Sequence, residues 1–166
     1  MTSTRLVLLF AALALLVPSP EAAAQTSRNG AYFELGGNAV VSSFNYERRF
    51  REQWYGRAGL SLVVGQHDDD TDTTFLFPLT ASYVNRPLSN HHLELGGGVT
   101  VVAGDAQELW EFGEDDEKVA RVLMTGIAGY RYQKPAGGFL FRATFTPVVG
   151  EGEILPWVGL SFGYAW

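Results

Sequence analysis

Seven ionisable residues stand out because of where they fall: Glu34, Glu47, Arg49, Arg57, Glu94, Arg131 and Arg142. Each lies in a stretch where large apolar residues alternate with small ones, and each takes a small-residue position. Charges held away from water in this way can do one of two things. Arg and carboxylate can pair, bidentately where geometry permits, and fill an interior. Alternatively they can form an ion or proton path, because ionisable groups buried at membrane depth are often functional. Groups of mixed sign can largely satisfy one another. A closed, charge-filled interior is therefore the expectation, with a narrow channel as its alternative.

Other motifs carry less. Gly159-Leu160-Ser161-Phe162-Gly163 has the spacing of a hydrolase nucleophile elbow, but that elbow needs a helix directly after the serine, and only three residues follow Gly163. Asp68, Asp70 and Asp72 begin like a calcium loop. Thr73 replaces the turn glycine and Leu79 the closing glutamate, so the loop fails as an EF-hand and remains only a weak candidate for loose metal binding. Gly96-Gly97-Gly98 lacks the third glycine of a dinucleotide fingerprint, its place being taken by Val101. His91 and His92 are adjacent, so on a strand they point to opposite faces and make poor co-ligands. No cofactor is expected. A lipid-acting barrel enzyme would need His with Ser and a carboxylate near the rim bearing the long loops, where the available histidine is His67.

The elements that must position the charges are strands. Val158, Leu160, Phe162, Tyr164 and Trp166 alternate with Gly, Ser and Ala, a period of two with one apolar and one small face. The same alternation puts Tyr32 and Glu34 opposite Ala31, Phe33 and Leu35. In later strands it sets Arg57 against Ala58, Leu60 and Leu62, Glu94 against Leu93 and Leu95, and Arg131 against Tyr130 and Tyr132. Strands are expected over Gly30 to Leu35, Val40 to Phe50, Trp54 to Gly65, Thr74 to Asn85, His92 to Ala103, Arg121 to Gln133, around Phe139 to Thr146, and at the C-terminus. Gly36 to Asn38 reads as a tight turn, His67 to Thr73 and Asp105 to Lys118 as acidic loops, and Lys134 to Gly137 as another tight turn. Tyr46, Phe50, Trp54, Tyr83, Tyr130 and Tyr132, with Tyr164 and Trp166, fall near the short turns and form an aromatic girdle at one membrane interface.

The chain opens with Arg5, an apolar core from Leu6 to Val17 and the small residues Ala22 to Ala24, the pattern of a secretory signal over residues 1–24. A short polar tail over 25–29 and a barrel over 30–166 complete the expected organisation. Cysteine is absent, which removes disulfides and thiolate metal sites. A net charge of −6 argues against nucleic acid as a partner.

The C-terminal alternation ending on Tyr164-Ala165-Trp166 resembles the terminal recognition signal of small Gram-negative outer-membrane β-barrels, similar to the OmpA transmembrane domain. Asn45 to Phe50 and Tyr130 to Pro135 also resemble segments of that group. The resemblance implies an all-β, eight-stranded, antiparallel up-and-down transmembrane barrel, short turns at the periplasmic rim and a monomer in outer-membrane lipid. It also implies assembly through Val158, Leu160, Phe162, Tyr164 and Trp166 by the barrel assembly machinery, and a structural or adhesive role. A soluble lipocalin-like cup shares the period but would put its charged face in water. The nearly uncharged apolar face points to lipid outside.

Overall fold

The computed structural model describes residues 26–67, 70–85, 88–104, 121–150 and 153–166. The signal segment, Asp68 and the whole Asp105 to Lys118 connection lie outside the described residues. The strands are β1 (Asn29–Gly36), β2 (Ser42–Arg51), β3 (Trp54–His67), β4 (Asp70–Val84), β5 (His91–Gly104), β6 (Arg121–Gln133), β7 (Gly138–Phe145), β8 (Val148–Gly150), β9 (Glu153–Leu155) and β10 (Val158–Ala165).

Each strand pairs antiparallel with its neighbour from β1 to β7, β7 pairs with β10, and β10 returns to β1. This closes a barrel of eight staves. The ring has no open edge, so the backbone groups of the staves pair within the wall. The short β8–β9 hairpin continues the β7 and β10 staves, β8 pairing with β6 through Met124↔Val149 and Thr125↔Val148. Pro147 and Pro156 fall at the two breaks between these segments. Proline has no N–H to give the ladder, which weakens the pairing at these two positions.

The faces sort as the period requires. Phe44 is 69% exposed, Leu95 61% and Val158 68%, whereas Glu34 and Arg131 are fully buried, so the bulky residues surround the wall and the ionised ones lie at its centre. A lipocalin-like cup has the reverse arrangement of faces. Tyr46 packs near Trp166 and Trp54 near Tyr83, with ring centroids 6.4 and 5.7 Å apart, on the outer surface beside the short turns.

Three local expectations are corrected. The ladder between β3 and β4 runs on through Gly65↔Asp72 and His67↔Asp70, so much of the expected His67 to Thr73 loop is hairpin strand. The first turn is a single 3-10 turn, Gly37–Ala39, and β2 starts at Ser42 rather than Val40. Val40, the expected start of that strand, is buried at the end of this turn with φ 69°. The turn folds into the barrel because Gly36 and Gly37 reverse the chain with φ 68° and 70°. The supposed tail is also held: Ser27 is buried, Ser27 N–H donates to the Pro135 carbonyl at 2.7 Å, and Asn29 already belongs to β1.

Candidate functional site: the barrel interior

Six of the seven charges expected inside meet in one network, three carboxylates with three guanidinium groups, so their formal charges cancel. Arg142, on β7, donates from Nε and Nη2 to the two oxygens of Glu94, on β5, at 2.9 and 2.7 Å. Arg131, on β6, makes the same two-pronged contact with Glu47, on β2; its Nη1 lies 3.0 Å from Glu47 Oε2 and 3.8 Å from Glu94 Oε2. The parallel prongs of a guanidinium match the two oxygens of a carboxylate, so each pair fixes orientation as well as distance. Arg57, on β3, contacts Glu34 through one prong at 3.4 Å and gives its Nε proton to Thr80 at 2.8 Å.

Tyr32 joins the two halves. Its hydroxyl oxygen accepts from Arg142 Nη1 at 2.6 Å and Arg57 Nη1 at 2.9 Å, and its ring lies 5.1 Å from the Arg142 guanidinium carbon. Arg131 lies over the Tyr55 ring at 4.4 Å. Toward the short-turn rim, Arg131 Nε donates to Gln133 Oε1 at 2.8 Å, and Gln133 Nε2 donates to Ser27 Oγ at 2.8 Å. At the other end Ser161 Oγ donates to Glu34 at 3.2 Å. Directly above, Gly37 packs on Glu34 so closely that a Cβ there would meet the carboxyl group.

Beyond the charged network the inward turn meets a small apolar cluster. Ala39 packs with Leu76 and Val102, flanked by Val63 and Leu123. Thr100 Oγ1 donates to the Asn38 carbonyl at 2.7 Å, and Trp157 Nε1 to the Val40 carbonyl at 2.9 Å, tying the turn to opposite walls.

Arg49 is the correction to the expected cluster. It is half-buried at the end of β2, beside the register shift between Arg49 and Arg51, and donates to the Thr26 carbonyl at 3.3 Å. Because the strand ends there, its guanidinium reaches the watery mouth and needs no buried carboxylate. Tyr32, Tyr55, Gln133 and Thr80 were not anticipated as members. Their strand parity is that of Glu34, Arg57 and Arg131, and that shared parity is the available signal.

Among the described side chains, which do not include that of His67, the elbow-like serine and the adjacent histidines stand apart. Ser161 is fully buried in the charged network. His91 Nδ1 lies 2.6 Å from the Tyr130 hydroxyl on the outside, while His92 is buried between the carbonyls of Asn85 and Gln133 at 2.9 and 3.1 Å. No metal-binding group of side chains occurs among the described residues. Asp68 and the side chains of Asp70 and Asp72 lie outside them, although Asp70 and Asp72 belong to the β4 backbone.

No protein-family description matches the sequence, and no curated protein matches it. Among solved structures, the N-terminal β-barrel domain of OprF from Pseudomonas aeruginosa is similar at TM-score 0.58 and 14% identity, over 86% of this chain and 98% of that one. Ail, the attachment invasion locus protein of Yersinia pestis, aligns at TM-score 0.46 and 15% identity, over 85% of this chain and 97% of that one. With its closed ring, inward charges and apolar wall, the chain has the eight-stranded β-barrel fold of the OprF domain.

Proposed function

We propose that this protein is a monomeric integral barrel of the bacterial outer membrane whose bore is sealed, and that it serves a structural or adhesive role at the cell envelope rather than conducting or catalysing. The observation that carries this reading is the pairing of an apolar outer wall with a charge-neutral, interlocked interior. Exposed groups such as Phe44, Leu62, Val122 and Met124 have no protein cover. A contiguous apolar belt of that kind is expected of a lipid contact. An interior filled by paired side chains leaves no continuous aqueous path in a barrel this narrow. The signal segment and the outward residues of β10 support export and insertion through the barrel assembly machinery.

Two measurements test it. Membrane fractionation should place the protein in the outer membrane, with faster gel migration before boiling than after. Purified barrel in planar bilayers should show no steady ohmic conductance. Recovery in the soluble periplasm would overturn the membrane assignment, and sustained single-channel steps would overturn the sealed bore.

A further inference from the structure

The rim that carries both ends of the barrel chain is strongly basic. Arg28, Arg48, Arg49, Arg51 and Lys134 lie there, with Glu52 as the single acidic side chain among the described residues of that rim. Asp70 and Asp72 lie at the start of β4 and Glu153 at the start of β9, at the opposite end; in the sequence the other acidic residues outside the bore and the signal segment fall between β3 and β4, β5 and β6, and β8 and β9. Among the described residues no carboxylate lies within ion-pair distance of Arg28, Arg48, Arg49 or Arg51. Arg28, Arg49 and Arg51 line one pocket of about 400 Å³ together with Thr26, Phe50, Glu52 and Leu88. Its outer margin is greasy: Phe50 is 60% exposed and Leu88 82%.

We infer that this pocket binds the phosphodiester headgroup of an anionic phospholipid in the leaflet that meets this rim, with the acyl chains lying along Phe50 and the aromatic girdle. The chemistry is complementary on both sides. Guanidinium forks match phosphate oxygens. Basic residues at a membrane surface attract anionic lipid by roughly fivefold in affinity for each residue. An apolar margin contiguous with the lipid-facing wall distinguishes a lipid from a free anion, which would gain nothing from Phe50 and Leu88. The register shift between Arg49 and Arg51 interrupts the ladder of β2 at this rim.

This inference rests on the membrane-barrel reading, and the two fail separately: gel migration before boiling reports the barrel, and headgroup preference reports the pocket. The test is native mass spectrometry of the folded mature protein in detergent with added phosphatidylglycerol or phosphatidylcholine. Phosphatidylglycerol should be retained at least several-fold more, and the preference should weaken as salt is raised. R28Q/R49Q/R51Q, checked for heat-modifiable migration, should reduce retention to the phosphatidylcholine level, while R28K/R49K/R51K should keep most of it. Equal retention of the two lipids by the unaltered protein would overturn the proposal whether or not the variants fold. So would undiminished phosphatidylglycerol binding by the folded glutamine variant. Displacement by an equal concentration of glycerol phosphate would also overturn it, by showing a site for a free anion.

Discussion

At the scale of single residues, the interior network is unevenly built. Arg142 and Glu94 meet through two prongs, whereas Arg57 and Glu34 meet through one, leaving Arg57 Nη2 and Glu34 Oε2 without a protein partner among the described residues. Removing one member of a buried pair strands the other, at a cost of about 3–5 kcal/mol, while removing both can be nearly neutral. Arg142→Met is therefore expected to destabilise the barrel by about that amount, and Arg142→Met with Glu94→Leu by distinctly less. Arg57→Met should cost less than Arg142→Met, because less pairing is lost. Urea unfolding in phospholipid vesicles, followed by gel migration, gives all three values. Tyr32→Phe tests the junction between the halves: it deletes the oxygen shared by Arg57 and Arg142, and a loss of about 1–3 kcal/mol is expected in the same assay. An unchanged midpoint would show that the two halves of the network stand independently.

Among the elements, the β1–β2 turn matters most. Its brevity was legible in Gly36, Gly37 and Asn38, but its direction was not, because local sequence does not say whether a reversed chain bends outward or into the bore. Packing decided it: Ala39 finds Leu76 and Val102 inside, and Thr100 and Trp157 hold the carbonyls of Asn38 and Val40. Gly37→Ala should therefore be far more costly than an ordinary turn substitution. The added methyl would enter the Glu34 carboxyl group at a positive φ, and a loss above about 1 kcal/mol is expected, since alanine is poorly tolerated there even without the clash. The terminal element offers a different readout. Phe162→Ser with Tyr164→Ser removes two outward groups of β10 without touching the interior, so yield of heat-modifiable protein in the outer membrane should fall even if refolding in detergent survives. Equal yield would remove β10 as an insertion signal.

For the molecule as a whole, the apolar wall makes a depth-dependent claim. Leu60, midway along β3 and 48% exposed, faces outward. Leu60→Arg is expected to destabilise the barrel by about 2–4 kcal/mol in bilayers, the cost of a charge near the midplane of a lipid-facing wall. In a detergent that accommodates the charge, the penalty should shrink. A barrel with water outside would show the opposite, with Arg tolerated at Leu60 and an outward Ser gaining solubility.

The sequence by itself determined the strands, the apolar and small faces, and the parity that sends Glu34, Glu47, Arg57, Glu94, Arg131 and Arg142 to one side, because a strand's alternation is written one residue at a time. It could not say which acid meets which base. Arg131 and Glu47 are far apart along the chain, and their meeting depends on the stagger accumulated around the closed ring. The same stagger and the inward turn placed Tyr32 between two guanidinium groups and left Arg49 at the mouth. Those are properties of closure, and only the tertiary structure decided them.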